Sequence, residues 1–113
     1  MQLFIDSTDP EEILQAREWG IVEGVTTNPT LFGMAGGDVT AVLRGVVDAA
    51  PGPVLCQAIG WHDLEPLKAQ ARWLHRFSEK IVVKLPMCPA GLQALRSLKQ
   101  EDPAMPIAVT AVA

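Results

Sequence analysis

Six side chains able to do chemistry stand at the ends of apolar, strand-like runs in this 113-residue chain. They are Asp6, Thr26, Asn28, Gln57, Lys84 and Thr110. Ligand sites of parallel α/β sheets lie at the carboxyl ends of the strands, so the spacing predicts one site built from this strand-end set.

Lys84 lies in the run KIVVKL at residues 80–85. An ammonium group buried in such a strand without a partner is costly, which favours the neutral amine. A neutral amine can attack a carbonyl carbon and form an imine. The alternative is an ion pair between Lys84 and Asp6 that only fills the end of the sheet, and the residues alone leave both interpretations open.

Side chains alternate between the two faces of a strand, which tests the strand-end set a second time. Four of the six polar residues share a face with an apolar residue two positions earlier, and the opposite face is purely apolar. The pairs are Phe4 with Asp6, Leu55 with Gln57, Val82 with Lys84 and Ala108 with Thr110. We therefore expect one dry face under helices and one face that becomes polar at one end only.

Apolar runs and amphipathic runs alternate along the chain, which is typical of repeated βα units. The predicted strands are residues 2–6, 22–27, 54–59, 80–85 and 107–112. Four helices are predicted between them: the first is capped by Asp9, the second begins at about Asp38, the third can be capped by Asp63, and the fourth is opened by residues 89–91. Strands joined through helices run parallel, so the pattern predicts an α/β fold in a single partial domain over residues 1–113.

Each predicted helix carries an apolar stripe that is expected to face the sheet. The stripes are Ile13 and Ala16 with Leu14 or Arg17; Val42, Leu43, Val46 and Val47; Leu64, Leu67, Ala71, Leu74 and Phe77; and Leu92, Leu95 and Leu98. Lys68, Arg72 and Arg76 are expected on the solvent side of the third helix.

Composition narrows the function classes. A net charge of −4 and a pI near 5.0 argue against nucleic-acid binding, which needs a basic surface. No apolar run approaches the roughly 18 residues that span a membrane, and the N-terminus has no basic region of a signal peptide. Cys56 and Cys88 have no CxxC spacing and are expected to be free thiols of a cytoplasmic protein, with one disulfide as the alternative.

Cofactor motifs are missing from the sequence. No GxGxxG follows the first strand, and no GxxxxGK[ST] occurs, so a dinucleotide fold and a P-loop have no support. His62 and His75 are expected at the surface, and no histidine pair or carboxylate cluster has the spacing of metal ligands. We expect neither a metal nor a cofactor.

The ordered set Asp6, GVTTNPT at residues 24–30, Gln57 and VVKLP at residues 82–86 resembles the transaldolase family, above all its short fructose-6-phosphate aldolase-like subgroup. The resemblance covers the whole chain. It implies that Lys84 forms a Schiff base, while Asp6 and Asn28 hold hydroxyls of the bound ketose and assist proton movement.

The resemblance also bears on the remaining strand-end residues. Gln57 stands where true transaldolases have a glutamate that acts with a water as acid–base. An amide takes up no proton at neutral pH, so Gln57 favours an aldolase, although it can still orient a water. Thr26 and Thr110 either line the pocket with hydroxyls or serve only as good strand formers.

The family fold is a TIM (β/α)8 barrel, which this chain represents as a truncated version with five strands and four helices. The other half would carry phosphate-binding groups and a tyrosine acid–base, and the chain contains no tyrosine. Two strand edges would then be unpaired, so we expect a homo-oligomer or a complementing half-barrel chain.

Two functions stay open at this point. One is a Schiff-base (class I) aldolase or transaldolase that acts on ketose phosphates or dihydroxyacetone donors through an iminium on Lys84. The other is a catalytically silent truncated barrel that serves as an assembly module or a sugar-binding remnant.

Overall fold

The computed structural model describes residues 3–27, 38–58 and 63–110, and of Thr110 it describes the backbone. Within these ranges five strands alternate with four helices, as predicted. The strands are β1 (Leu3–Asp6), β2 (Val22–Thr27), β3 (Val54–Gln57), β4 (Ile81–Pro86) and β5 (Ile107–Thr110). The helices are α1 (Pro10–Glu18), α2 (Val39–Ala49), α3 (Leu64–Phe77) and α4 (Pro89–Glu101). Residues 28–37, 59–62 and 111–113, which include Asn28 and His62, lie outside the described residues.

The strands form a sheet in sequence order, and β1 with β2 and β4 with β5 pair in parallel. This confirms the predicted α/β fold class. The chain divides into two compact units, Met1–Leu55 and Cys56–Ala113, with the boundary inside β3. The prediction of one domain over residues 1–113 stays a prediction. In the part of the chain that is described, no helix combines the length and apolar character needed to cross a membrane.

Helix α1 of the first unit begins and ends as its sequence predicts. The Asp9 side chain accepts a hydrogen bond from the Glu11 amide at 3.0 Å, and Pro10 opens the first turn. Gly20 follows the helix with a φ of 76°, a left-handed conformation that glycine adopts without strain.

The predicted stripe of α1 is only partly right. Ile13 and Ala16 are buried, but Leu14 is 47% exposed and Arg17 is exposed, so neither is the third member of the stripe. Leu14 and Arg17 each follow a buried residue by one position, about 100° around the helix, which turns them away from the buried side.

Helix α2 completes the core of the first unit. It is capped by Asp38, whose side chain accepts from the Thr40 amide at 2.9 Å. Leu43 and Val46 are fully buried and Val47 nearly so, as predicted, whereas Val42 is only half-buried.

Helix α3 lies in the second unit and buries Leu67, Ala71 and Leu74, as predicted, with Leu64 and Phe77 only half-buried. Asp63 occupies the N-cap position, but its side chain makes no capping hydrogen bond. The predicted solvent side is wrong for two residues. The Lys68 side chain is 12% exposed and that of Arg72 34%, because both turn toward Glu101 of α4; Arg76 alone of the three is exposed.

The buried stripe of α4 is Gly91, Ala94 and Leu98. The burial of Leu98 was predicted. Leu92, however, is 49% exposed and Leu95 is half-buried, so the buried face of the helix is turned away from Leu92. The cause is the close approach of Gly91 to β4. A Cβ on Gly91 would come within 1.8 Å of the Pro86 carbonyl oxygen, so only the glycine face of the helix can pack there.

Candidate active site

Strand β4 carries Lys84 on the less buried of its two faces. Ile81, Val83 and Leu85 are fully buried, whereas Val82 and Lys84 between them are half-buried. This confirms the predicted alternation, in which Lys84 shares a face with Val82. The buried face is the one that α3 and α4 cover, since both helices pack on β4. Lys84 therefore points away from the helix layer.

Strand β3 alternates in the same way. Val54 and Cys56 are fully buried, and Leu55 and Gln57 are half-buried. Gln57 is the last residue of the strand, as the prediction of a strand-end amide requires. The predicted extension of this strand to Ile59 falls on a residue outside the described ranges.

A backbone hydrogen bond sets the level of Lys84 relative to Gln57. The Ala58 amide donates to the Lys84 carbonyl oxygen at 3.0 Å. In a parallel ladder the slanted bonds of one residue go to the neighbours of its partner, so Gln57, which precedes Ala58, lies beside Lys84. An amide and an amine are thus brought together at neighbouring strand ends.

The Lys84 side chain has no hydrogen-bond or ion-pair partner among the described residues of its own unit. Two other lysines of that unit do have partners. Lys68 lies 3.8 Å from carboxylates of both Glu65 and Glu101, and Lys99 donates to the carbonyl oxygens of Pro103 and Met105. The alternative of an ion pair with Asp6 stays open, because Asp6 belongs to the other unit.

The chain just after Lys84 is held by backbone contacts. The Cys88 amide donates to the Pro86 carbonyl oxygen at 3.0 Å, and α4 begins at Pro89. Gly91 in the first turn of α4 packs directly on Pro86. The role of Gly91 in positioning the site was not predicted from the sequence. A glycine early in a predicted helix was the available signal, since glycine there weakens the helix unless something approaches closely.

In the first unit, Asp6 and Thr26 are joined directly. The Thr26 hydroxyl donates to Asp6 Oδ1 at 2.9 Å, and the two residues are register partners of β1 and β2. Asp6 is exposed and Thr26 is half-buried. The strand-end set therefore begins with a hydrogen-bonded pair, which the sequence predicted only as two residues of one site.

Thr27, the neighbour of Thr26, takes a different role. Its side chain is fully buried, and its hydroxyl donates to the Leu55 carbonyl oxygen at 3.1 Å. Thr27 thus links β2 to β3 on the covered side of the sheet. Of two chemically identical residues, only Thr26 faces the side that carries Asp6.

The other two members of the strand-end set contribute less. Thr110 ends β5, and its backbone is the register partner of Pro86, two residues beyond the level of Lys84. Asn28 lies outside the described residues. The structure thus joins Asp6 with Thr26 in one unit and places Gln57 beside Lys84 in the other.

Two cavities lie elsewhere and contain none of the strand-end residues. In the first unit a space of about 410 Å³ lies at the N-termini of α1 and α2, lined by Thr8, Asp9, Pro10, Ala41 and Val42. In the second unit a space of about 200 Å³ lies at the ends of α3 and α4, lined by Arg72, His75, Arg76, Glu101, Asp102 and Met105. The second is dominated by charges that already pair with each other.

Arg72 and Glu101 of this lining belong to an ion-pair cluster that also includes Lys68. Arg72 donates twice to Glu101, from Nε at 3.0 Å and from Nη2 at 2.7 Å. The hydrogen bonds and the guanidinium charge lower the pKa of Glu101 below its ordinary value of 4.5 and raise that of Arg72. His75 Nε2 lies 3.2 Å from the Asp102 carboxylate. His75, which was expected at the surface, is half-buried.

Metal ligation has no support in the part of the chain that the structure describes, where no three His, Cys, Asp or Glu residues are grouped as ligands would be. Neither cysteine is in a disulfide; Cys56 is buried and Cys88 is half-buried. Among the strand-end side chains that the structure describes, the available groups are the amine of Lys84, the carboxylate of Asp6, the amide of Gln57 and the hydroxyl of Thr26.

Comparison with known proteins identifies the family of this chain. A sequence model of the family described as Transaldolase/Fructose-6-phosphate aldolase matches residues 3–113. A protein named "Probable transaldolase" from Aquifex aeolicus strain VF5 is 39% identical over 112 residues, which cover 99% of this chain and 50% of that protein. "Probable transaldolase" proteins from Coprothermobacter proteolyticus and from a Hydrogenobaculum strain are each 38% identical over 101 residues, covering 89% of this chain and 46% of theirs.

The chain thus spans about half the length of the curated relatives that it matches. Five parallel-type strands and four helices in alternation are consistent with part of a (β/α)8 barrel, as predicted. The motif-bearing segments at residues 24–30 and 82–86 fall inside the matched region. The chain belongs to the transaldolase/fructose-6-phosphate aldolase family.

Proposed function

We propose that this protein acts as a class I aldolase or transaldolase, in which Lys84 forms an iminium with a ketose phosphate or with dihydroxyacetone. The observation that carries the proposal is the state of the Lys84 amine. It is half-buried at a strand end, beside Gln57, and has no acceptor among the described residues of its unit. Family membership supports the same residue.

The covalent step requires a neutral amine. The Lys84 nitrogen adds to the donor's carbonyl carbon, the carbonyl oxygen takes up protons and leaves as water, and a C=N⁺ bond remains. The iminium then accepts the electron pair of the adjacent carbon–carbon bond as the neighbouring hydroxyl loses its proton and departs as an aldehyde, which leaves an enamine. In the other direction the iminium loses an α-proton, and the enamine that forms adds to an aldehyde. Protonation of the enamine, or the addition itself, regenerates an iminium. Hydrolysis adds one water, frees the ketone and returns the amine.

Gln57 has a supporting role in this scheme. Its amide can donate to and accept from a water, but it takes up no proton at neutral pH. Gln57 therefore orients the water that is released when the iminium forms and the water that later hydrolyses it, and another group moves the proton. This role favours the lyase reaction of an aldolase over the transfer reaction.

In this proposal Asp6 holds hydroxyls of the donor ketose, since a carboxylate accepts hydrogen bonds through its lone pairs. Asn28 is proposed to hold hydroxyls of the donor as well. Thr110 is proposed to line the pocket with its hydroxyl, and Thr26 contributes there through its hydrogen bond to Asp6.

Reductive trapping tests the proposal. The protein is incubated with dihydroxyacetone or fructose 6-phosphate, and any iminium is reduced with borohydride. The intact mass of the protein is then measured by mass spectrometry. We expect one reduced donor per chain, and peptide mapping should place it on Lys84. Lys84→Met should abolish the adduct, because methionine keeps the apolar stem and removes the nucleophile.

Lys68→Met is the matched control. It removes a partly buried lysine of the same unit whose amine already has carboxylate partners, so the adduct should persist. Absence of any adduct on the parent protein, under conditions that label a full-length relative, would overturn the proposal. Equal loss in both variants would show that the lysines matter for folding only.

We also propose that the chain works as a homo-oligomer or with a complementing half-barrel chain. Strand β1 begins with Leu3, which is 40% exposed, and β5 leaves Ile107, Ala108 and Val109 half-buried. Each of these strands pairs on one side only in the described sheet. Unpaired strand edges with apolar side chains favour association. Light scattering that returns a monomer across concentrations would contradict this.

A cytoplasmic location completes the proposal. Neither Cys56 nor Cys88 is in a disulfide, and thiols persist in reducing compartments. Fractionation of the native source, followed by detection of the protein outside the cytoplasm, would refute the assignment.

A further inference from the structure

The two adjacent threonines of β2, Thr26 and Thr27, donate their hydroxyl hydrogens to different acceptors. Thr27 donates to the Leu55 backbone and is fully buried. Thr26 donates to Asp6 Oδ1 at 2.9 Å on the open side of the strand. A hydroxyl has one hydrogen to give, so Thr26 as it stands has none left for a substrate oxygen.

The Thr26–Asp6 contact joins two positions of the sheet and not two loop positions. Asp6 and Thr26 are register partners, and the Ser7 amide donates to the Thr26 carbonyl oxygen at 3.2 Å. The strand ladder therefore fixes both Cα atoms before the side chains meet. A hydrogen bond between such positions restricts rotation about the side-chain bonds of Asp6 at little entropic cost.

The two carboxylate oxygens of Asp6 therefore differ in their hydrogen bonding. Oδ1 is occupied by the Thr26 hydroxyl. Oδ2 has no partner in the described part of the first unit, and Asp6 is exposed. Without Thr26, an exposed aspartate at a strand end would sample several rotamers and present either oxygen.

We propose that Thr26 is a positioning residue, which acts through Asp6 by holding Oδ1 so that Oδ2 accepts a hydrogen bond from a hydroxyl of the donor ketose. The proposal rests on the proposed function for its ligand. It changes the predicted role of Thr26, from a hydroxyl that lines the pocket to one that orients the carboxylate. It also explains why a threonine, with its stiff branched side chain, suits this position.

The first test measures the order of the Asp6 side chain and needs no ligand. Three-bond NMR couplings to the Asp6 carboxyl carbon report rotamer averaging about χ1. We expect a single rotamer in the parent protein, averaging in Thr26→Val, and restoration in Thr26→Ser. Thr27→Val is the matched control: it removes a buried hydroxyl one residue away and should leave the Asp6 couplings unchanged. Equal order of Asp6 in the parent and in Thr26→Val would overturn the inference.

The second test measures how reductive trapping depends on donor concentration. Thr26→Val should raise the half-saturating concentration about tenfold, the equivalent of one lost hydrogen bond to a charged group, with Thr26→Ser near the parent. In an Asp6→Ala background, Thr26→Val should have no further effect, because residues that act through one another are not additive. Additive losses in that double variant would show that Thr26 binds the donor directly, and the inference would fail.

The two tests separate this inference from the proposed function. If the parent protein forms no adduct, the Schiff-base proposal fails, while the NMR couplings still decide whether Thr26 orders Asp6. If the adduct forms and Asp6 is disordered in the parent, the Schiff-base proposal stands and the positioning role is refuted.

Discussion

Lys84 at the end of β4 and Lys68 on α3 belong to the same compact unit and are both partly buried, but their partners differ. Lys68 lies between two carboxylates, and its neighbour Arg72 is bound by Glu101 through two hydrogen bonds. Lys84 has no such partner among the described residues of this unit. Surface charges of a folded protein are commonly neutralised by neighbours, whereas functional groups are often left under-satisfied.

The difference has a physical origin in the two elements. The long side chains of α3 can reach a carboxylate three positions earlier on the same helix, and they can reach a carboxylate on the facing helix α4. The end of β4 presents Lys84 on the same face as an apolar residue, Val82, and beside an uncharged amide, Gln57. Among the described residues of this unit, Lys68 thus has acidic neighbours and Lys84 has none.

The largest expected effect concerns the backbone that supports the end of β4. Gly91→Ala should lower the free energy of unfolding by about 3 kcal/mol, because its Cβ would overlap the Pro86 carbonyl and α4 would have to move away from β4. Urea denaturation measures the change. Trapping at Lys84 should fall with it, since Pro86 follows Lys84 by two residues.

Gly45→Ala is the control for this prediction. Gly45 is also helical, but a Cβ there would meet only Pro10 Cγ at 3.0 Å, the end of a side chain and not a carbonyl. The gain in helix propensity should offset that contact, so stability should change by less than about 1 kcal/mol. Similar losses in both variants would refute the role assigned to Gly91.

The comparison of the two lysines predicts stability changes of opposite sign. Lys84→Met should raise the free energy of unfolding by about 0.5 kcal/mol, because it removes the amine of a half-buried residue that has no partner among the described residues of its unit. Lys68→Met should lower it by about 0.5 kcal/mol, because it removes two long ion pairs at the protein surface. Chemical denaturation at neutral pH tests both. A loss of stability in Lys84→Met would mean that the amine has a structural partner.

The smallest effect concerns the acid stability that Glu101 provides. The pKa of Glu101 is lowered by its hydrogen bonds to Arg72, so the ionised form stabilises the folded state. That contribution is present above the ordinary pKa of 4.5 and is lost as pH falls through the lower pKa of the folded state. Glu101→Gln should therefore show a flatter loss of stability with decreasing pH in that range.

Glu65→Gln is the matched control for the acid range. Glu65 also faces Lys68, but its side chain is 77% exposed and the atoms are 3.8 Å apart. Its removal should leave the pH dependence close to that of the parent. The same flattening in both variants would show that the effect is a general one of net charge.

Much of the fold was predictable from local chemistry. Asp9, Pro10 and Gly20 mark both ends of α1, and strand β2 has the bounds that its sequence predicts, because caps, prolines and glycines act over a few residues. The faces of β4 followed from period-2 alternation alone, which placed Lys84 with Val82 before any packing was known.

Long-range packing accounts for the errors. The leucines of α4 predicted a stripe at Leu92, Leu95 and Leu98, but the contact of Gly91 with Pro86 rotates the helix and exposes Leu92. Lys68 and Arg72 were predicted on the solvent side, since nothing local indicates that Glu101, some thirty positions along the chain, lies within reach. Both errors depend on which helix packs beside which.

The sequence by itself determined the order of strands and helices, the membership of the family and the position of a lysine on the open face of β4. These properties follow from residue types and spacings along the chain. Only the tertiary structure decided that Thr26 donates to Asp6 while Thr27 donates to Leu55, and that Lys68 has acidic partners. The physical reason is that a hydrogen bond depends on distance and direction between atoms far apart in sequence, which strand register and helix packing alone establish.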